Sequence, residues 1–253
     1  MAQQAGIIPI KGTIGNITFY KSADGYLVRE KGGIDGDRIK SDPAFQRTRE
    51  NGAEFGRAGK AAKVLRTALR SLLQNTSDNK MVSRLTREMV KVLQADAVNP
   101  RGLRNVIDGE ATLLQDFEFN LNGKLGATMY APFTATINRV AGELAINIPA
   151  FIPGNMISAP AGSTHFRFIT AGVDIDFEQQ QYVVDTQSTG ELPLDNVATA
   201  AIDLVNTVTA NSTHPLFLAL GIEFYQQVNG VHYPLKNGGF NALSLVKVEG
   251  PVL

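Results

Sequence analysis

The chain has 253 residues, of which 43% are hydrophobic and 19% charged, and its 24 basic side chains balance 24 acidic ones. This composition is typical of globular proteins and excludes a disordered chain. No apolar run approaches the ~20 residues of a membrane-spanning helix. The first residues also lack the basic and apolar segments of a secretory signal, so we expect a protein that is cytoplasmic or assembled into a particle released from the cell.

The zero net charge results from the cancellation of oppositely charged segments. Residues 1–28 carry +1, because Lys11 and Lys21 outnumber Asp24. Residues 29–104 hold seventeen Lys or Arg against nine Asp or Glu, a net charge of +8, whereas residues 105–253 hold five against fourteen, a net charge of −9. This distribution favours head-to-tail contact between copies, or the binding of an acidic partner at one end.

The first thirty residues predict a β-hairpin. Two β-rich stretches, residues 14–20 and 26–29, flank Asp24-Gly25, whose glycine supplies the positive φ that a tight turn needs. A lone hairpin is only marginally stable in water, so it must pack on the rest of the chain or on another copy. The glycine-rich residues 31–37 predict a loop.

Two amphipathic helices are predicted after Asp42-Pro43, which combines a favoured N-cap with a favoured first helical residue. Both helices carry apolar side chains at spacings of three and four. The first stripe follows Phe55 and comprises Ala58, Ala62, Leu65, Leu69 and Leu72, and the second comprises Val82, Leu85, Met89 and Val92. The short polar spacer between the stripes predicts a helical hairpin that ends at Asn99-Pro100, with one shorter helix over 106–114.

After Phe117 the pattern changes to alternating apolar and polar residues, which is typical of half-buried strands. About eight strands with repeated turns predict an antiparallel β-sandwich, and Asn229-Gly230 predicts a type I′ hairpin turn. Residues 196–208 fit a helix as well as a strand. The predicted fold is therefore α+β, with an N-terminal hairpin plus basic helical hairpin in a domain of residues 1–116 and a β-sandwich domain of residues 117–253.

The N-terminal sequence contains Gly12-Thr13-Ile14-Gly15-Asn16, then Asp24-Gly25-Tyr26-Leu27-Val28-Arg29, then Asp42-Pro43. In this order it resembles uncharacterised proteins of Bacteroidota that begin with a Gly-x-x-Gly-Asn hairpin, followed by a basic strand and a helix that opens near a proline. The resemblance extends over about residues 1–60. It implies no activity and no catalytic residues.

Signals for an enzyme are weak. The chain has no cysteine, so thiol catalysis, disulfides and cysteine-bound zinc are excluded. His165, His214 and His232 have no partner at metal-ligand or triad spacing. The string Gly56-Arg57-Ala58-Gly59-Lys60-Ala61 lacks the first glycine and the Ser or Thr of a phosphate-binding loop. We therefore expect no catalytic residues, no cofactor and no enzymatic activity.

Three carboxylates, Asp174, Asp176 and Glu178, alternate with apolar residues and are predicted to line one face of a strand. A hard cation such as calcium could bind such oxygens. The alternative is the solvated face of a half-buried strand. Asp35, Asp37 and Asp42 form a second acidic group, without the glutamate of a calcium-binding EF-hand loop.

Basic stripes are the most specific feature of the predicted helices. They comprise Arg57, Lys60, Lys63, Arg66 and Arg70 on the first helix and Lys80, Arg84, Arg87 and Lys91 on the second. Nucleic acid could bind them through phosphate contacts, and so could the acidic β portion of another copy. We favour the second because the +8 and −9 nearly match, and because no aromatic residue interleaves with the basic positions to stack on bases.

These features predict a non-enzymatic structural protein that forms homo-oligomers, as a repeating subunit of a filament, tube or shell. The alternative function is a cytoplasmic nucleic-acid-binding protein that uses the basic helix faces. A third class, an enzyme, would require folding to bring carboxylates together from Asp174, Asp176, Glu178 or the Asp35 loop.

Overall fold

A computed structural model describes residues 2–4, 8–22, 24–30, 32–76 and 78–252. The protein is α+β, as predicted, with helices concentrated in the first half of the chain. Its α-helices are α1 Gly36–Ser41, α2 Gln46–Ala68, α3 Arg70–Leu73, α4 Met81–Gln94, α5 Leu125–Thr128 and α6 Pro153–Met156. Short 3₁₀ turns are formed by Pro43–Phe45, Ala111–Leu114 and Leu235–Gly238. None of these helices is both long and apolar enough to cross a membrane.

The described strands pair antiparallel in three sheets. They are β1 Ala2–Gln3, β2 Gly12–Ile14, β3 Ile17–Ser22, β4 Gly25–Glu30, β5 Thr134–Asn138, β6 Glu143–Ile148, β7 His165–Asp176, β8 Gln181–Ser188, β9 Leu192–Pro193, β10 Ile202–Thr207, β11 Leu216–Val228, β12 Val231–Pro234 and β13 Ala242–Glu249. A four-stranded sheet has the order β1-β4-β3-β2, and a three-stranded sheet has the order β10-β6-β5. A six-stranded sheet follows the path β12-β11-β7-β8, with β13 on β11 and β9 on β7.

The chain divides into two compact units, an N-terminal unit of residues 1–49 and a C-terminal unit of residues 50–253. The four-stranded sheet belongs to the N-terminal unit. The predicted hairpin is confirmed, because β3 pairs with β4 and places Ser22 opposite Gly25. Gly25 has a φ of +105°, a conformation that glycine adopts without steric cost. Ala23, inside the predicted turn, lies outside the described residues.

The chain after this sheet differs in part from the predicted loop of residues 31–37. Helix α1 begins at Gly36, because the side chain of Asp35 caps it by accepting a hydrogen bond from the amide of Asp37. The predicted helix start at Asp42-Pro43 is confirmed. The Asp42 side chain accepts a hydrogen bond from the amide of Ala44, and the 3₁₀ turn at Pro43 leads directly into α2.

The C-terminal unit is built around the six-stranded sheet, which is covered on both faces. Alternate residues of β7 point to opposite sides. Ile169 and Val173 join a core cluster with the helices, whereas Phe166 and Phe168 join a second cluster with the three-stranded sheet. The two sheets thus pack face to face as in a β-sandwich, and the helices form a third layer. Burial on both faces explains why β7 and β11 are apolar along most of their length.

The observed division of the chain differs from the predicted boundary at residue 116. The apolar stripes of α2 and α4 are buried in the same cluster as the six-stranded sheet, so helices and sheet share one core. Residues at the predicted boundary also extend that sheet: the amides of Asp116 and Phe119 donate to the carbonyls of Leu245 and Leu243 on β13, at 2.7 and 2.9 Å.

Other local predictions have mixed outcomes. Asn229 and Gly230 both have positive φ and join β11 to β12, as the predicted turn requires. The ambiguous residues 196–208 contain the strand β10, which pairs with β6. The shorter helix expected over 106–114 is reduced to the single 3₁₀ turn Ala111–Leu114. Phe55 and Val82, at the starts of the two apolar stripes, are exposed.

Candidate functional site

The basic stripe of α2 lies partly on the surface. Lys60, Lys63 and Arg70 are exposed, whereas Arg57 and Arg66 are half-buried. Arg57 donates a hydrogen bond from Nη1 to the carbonyl of Arg104 at 2.9 Å, so it holds the loop after α4. Three of the five predicted positions therefore remain accessible to a partner.

The basic stripe of α4 is partly neutralised within the chain. Lys80, Arg87 and Lys91 are exposed, but Glu88 accepts from Arg87 Nε at 3.0 Å and pairs with Lys91 Nζ at 2.6 Å. Burial alone would raise the pKa of Glu88, yet its contacts with Lys91 and Arg87 hold that pKa below the ordinary value. The carboxylate of Glu88 therefore stays charged and offsets part of the stripe.

Arg84 has a structural role. Its guanidinium pairs with Asp78 and donates to the carbonyls of Glu118 at 2.7 Å and Phe119 at 3.3 Å. Burial alone would raise the pKa of Asp78, but hydrogen bonds from the amide of Leu121 and from Arg84 lower it below its ordinary value. Arg84 thus joins α4 to the segment along β13 and is not accessible to a partner.

The predicted carboxylate face of Asp174, Asp176 and Glu178 is not formed. Strand β7 ends at Asp176, and Glu178 lies in the following turn, where its amide donates to Asp176 Oδ1 at 2.8 Å. Asp174 is only 2% exposed, so this is not a solvated strand face either. Among the described residues, no three His, Cys, Asp or Glu side chains form a group that could hold a metal ion.

The two aspartates instead face His214. Asp174 Oδ1 lies 3.0 Å from His214 Nδ1, and Asp176 Oδ2 lies 3.7 Å from Nε2. These groups line a cleft of about 340 Å³, here called the acidic cleft. It is lined by Asp174, Asp176, Gln181, Tyr182, Val183, Thr209, Asn211, Ser212, Thr213 and His214.

The acidic cleft has the chemistry of a cation-binding surface rather than of a nucleophilic site. Both ring nitrogens of His214 face carboxylates, and the hydroxyl of Ser212 accepts a hydrogen bond from the His214 amide at 3.1 Å. Because the ring nitrogens face carboxylates and the hydroxyl contacts the backbone of His214, the imidazole is not placed to activate that hydroxyl. None of the described residues that line the cleft is Lys or Arg, so its fixed charge comes from the two carboxylates.

Arg139 positions the loop that carries His214. Its Nη1 donates to the carbonyls of Ser212 and His214 at 2.8 and 2.6 Å, and its Nη2 donates to the carbonyl of Gly250 at 2.8 Å. In the sequence His214 has no partner at metal-ligand or triad spacing, because 40 residues separate it from Asp174. The start of β11 brings them together, since Leu216 pairs with Asp174 in the sheet. Only knowledge of the β7–β11 pairing could have revealed this contact.

The other two histidines also have partners. The rings of His165 and His232 lie 4.1 Å apart between centroids. Burial, and then the neighbouring His232, lower the pKa of His165. This pair lies at the β9 and β12 end of the six-stranded sheet, away from the acidic cleft.

Strand β8 forms one open edge beside the acidic cleft. Among the described strands it pairs only with β7. Its first half exposes Tyr182, Val183 and Val184, and the exposed fraction of Val183 is 47%. Further along, the carbonyl of Asp185 accepts a hydrogen bond from Asn206 Nδ2 at 3.0 Å. The side chain of Asn206 therefore caps only the second half of this edge.

The N-terminal unit has almost no core. Among its described residues only Leu27 is buried. Ile8, Ile10, Ile14 and Ile17 are exposed, and the exposed fraction of Ile14 is 64%. Residues 1–49 carry eight Lys or Arg against five Asp or Glu, a net charge of +3, whereas residues 50–253 carry sixteen against nineteen, a net charge of −3.

Comparison of the chain with known protein families, with curated proteins and with solved structures finds no match. Functional inference therefore depends on the chemistry of these surfaces.

Proposed function

We propose that the protein is a non-enzymatic structural protein that associates with copies of itself through the N-terminal unit. The observation that carries this proposal is the four-stranded sheet whose described residues bury only Leu27. Small sheets need an apolar face packed against another element to be stable. A neighbouring copy would supply that cover.

Burial energetics support association. Fully covering an exposed isoleucine contributes about 1.5–3 kcal/mol. Ile14 and Ile17 are exposed to 64% and 45%, so each would contribute about half of that amount. Ile14 and Ile17 pair across β2 and β3, so one contact could cover both side chains together. Two such residues provide part of the free energy that a micromolar complex requires, which is about 8 kcal/mol.

The charge distribution favours head-to-tail association. A net charge of +3 on one unit and −3 on the other attracts unlike units of neighbouring copies. Contacts between two different surfaces produce rings when the rotation closes and filaments when it does not. This arrangement suits a repeating subunit of a filament, tube or shell, in the cytoplasm or in a particle released from the cell.

Sedimentation of the full chain over a range of concentrations, at low and at high salt, tests the proposal. We expect oligomers that weaken as salt screens the charges. Ile14→Thr/Ile17→Thr should shift the protein toward monomers, while Val140→Thr/Val197→Thr, which alters two exposed valines of the C-terminal unit, should not. A monomer at both salts and at high concentration contradicts the proposal.

Nucleic-acid binding is a second candidate, favoured by one observation. Lys60 and Lys63 on α2 and Arg70 at the start of α3 are exposed and form no ion pair with the described acidic side chains. Neutralising these three residues with glutamine should abolish binding to duplex or single-stranded probes, whereas Arg87→Gln/Lys91→Gln should have a smaller effect, because Glu88 already offsets that pair. Binding that persists unchanged as salt rises counts against phosphate contacts.

A further inference from the structure

We infer that the N-terminal unit of one copy docks on the C-terminal unit of a second copy, along the open edge of β8 and over the acidic cleft. In this contact β2 adds beside the first half of β8, and Lys11 approaches the carboxylates of the cleft. The inference rests on the proposed function and identifies the surface that receives the N-terminal unit.

The β8 edge is open to strand addition. Natural edge strands are usually blocked by Lys, Pro, a bulge or a covering segment. The opposite side of the sheet follows this rule, because residues 116–119 cover β13. By contrast, β8 has the sequence QYVVDTQS, with no Lys, Arg or Pro. Its single charge, on Asp185, already accepts a hydrogen bond from the amide of Thr207 at 2.9 Å. The accessible stretch is therefore Gln181 to Val184.

Strand β2 is a matching occupant. It is the outermost strand of the N-terminal sheet and, among the described strands, pairs only with β3. Together with Lys11 it forms a four-residue stretch, Lys11-Gly12-Thr13-Ile14, which equals the open part of β8 in length. Added strands gain affinity from backbone hydrogen bonds and specificity from side-chain contacts. Because Lys11 and Ile14 lie on opposite faces of the strand, Ile14 would supply the apolar contact to Val184, on the face opposite the cleft, while Lys11 faces the cleft beside Val183.

Charge complementarity identifies a second copy as the partner. The acidic cleft lies beside the open edge, and Asp176 within it is partly exposed and, among the described residues, pairs with His214 and with no Lys or Arg. Lys11 is exposed at the start of β2, in a unit with a net charge of +3. A lysine that approaches the exposed carboxylate of Asp176 orients the incoming strand and accelerates encounter.

Complementation between two variants gives the sharpest test. Val183→Lys places a charge on the receiving edge, and Lys11→Glu/Ile14→Thr disables the incoming strand. We expect each variant alone to associate at least about tenfold more weakly than the natural sequence, the loss that corresponds to about 1.4 kcal/mol. Their mixture should form dimers and nothing larger, because one intact strand then meets one intact edge.

The matched control for the edge variant is Val228→Lys. Val228 is exposed to nearly the same fraction, 46%, but lies at the other end of the six-stranded sheet. We expect this variant to associate normally. A further check uses charge reversal: Lys11→Glu and Asp176→Lys should each weaken association about fivefold, and their combination in one chain should recover most of the loss.

The outcomes separate the two proposals. If Val183→Lys associates like Val228→Lys, or if the mixture of variants stays monomeric, docking on β8 is overturned, while sensitivity to Ile14 and Ile17 would still support self-association. If the natural sequence is itself monomeric, both proposals fail. Circular dichroism of each variant identifies any that are unfolded, and the charge-reversal pair then decides the result.

Discussion

At the level of single residues, Arg84 and His214 each join parts of the fold that lie far apart in the sequence. The sequence places Arg84 in a basic stripe and gives His214 no partner at triad spacing. Arg84 fits the basic stripe of α4, yet its guanidinium is held by carbonyls at residues 118 and 119. His214 looked isolated, yet it lies against Asp174. The spacing of residues along the sequence indicates which side chains share a helix face. The contacts of Arg84 and His214 depend on the tertiary structure, which spacing does not show.

Replacing Arg84 should therefore reduce stability rather than only alter surface charge. Arg84→Met removes the charged partner of Asp78 and a donor to the carbonyls of Glu118 and Phe119, although backbone amides still donate to Asp78. We expect a loss of about 3 kcal/mol in the free energy of unfolding. Arg87→Met, which removes an exposed member of the same stripe, should cost less than about 1 kcal/mol. Urea unfolding at neutral pH measures both. Equal losses would contradict the structural role of Arg84.

The loss in the free energy of unfolding caused by Arg84→Met should depend on pH. Because the pKa of Asp78 is lowered in the folded protein, its stabilising contribution is complete above its ordinary pKa of 3.8 and is lost as the pH falls through the lowered value. The gap between the natural sequence and Arg84→Met should therefore be largest near neutral pH and shrink in acid. A gap that stays constant would show that Asp78 is not involved.

At the scale of elements, helices and turns could be predicted where their signals are local. The cap at Asp42, the Asn229-Gly230 turn and both apolar stripes depend on neighbouring residues. A strand could be predicted where β7 lies, but the burial of both its faces could not, because alternation shows which residues share a face but not what covers that face. The helices cover one side of β7 and the three-stranded sheet covers the other. For the same reason the predicted boundary at residue 116 separated elements that share a core.

Gly172 provides a test of the contact between the two sheets. A Cβ at this position of β7 would lie 2.7 Å from Cβ of Asn206 on β10, so the sheets would have to separate slightly. We expect Gly172→Ala to lower the free energy of unfolding by about 1–3 kcal/mol. Gly126→Ala, where no atom lies within 4 Å of the added Cβ, should have little effect in the same denaturant titration.

At the scale of the whole molecule, the structure changes the meaning of the zero net charge. Segments chosen from the sequence carried +1, +8 and −9, but α2 and α4 belong with the acidic strands. The compact units carry +3 and −3. The separation of charge is therefore smaller than the sequence suggested, and its positive end is the unit whose described residues bury only Leu27.

This difference between the units predicts a concentration effect in hydrogen exchange. The amides of β3 and β4 should exchange quickly in dilute protein and slowly in concentrated protein, since association would stabilise their sheet. The amides of β7 and β11 should be protected at every concentration, because their core is complete within one chain. Exchange measured by mass spectrometry across a dilution series tests this. If the protection of the β3 and β4 amides does not change with protein concentration, the prediction is wrong.

The two-sided cover of the six-stranded sheet also has a consequence for how the chain is made. Synthesis delivers α2 and α4 long before Phe217, Leu243 and Leu245, the residues of β11 and β13 that pack beneath them. The apolar stripes of the nascent helices therefore stay uncovered until β11 and β13 have been synthesised. Such surfaces attract chaperones and aggregate when synthesis stalls. A chain truncated before β13 should therefore lack part of the cover of these stripes and aggregate rather than form a smaller folded protein.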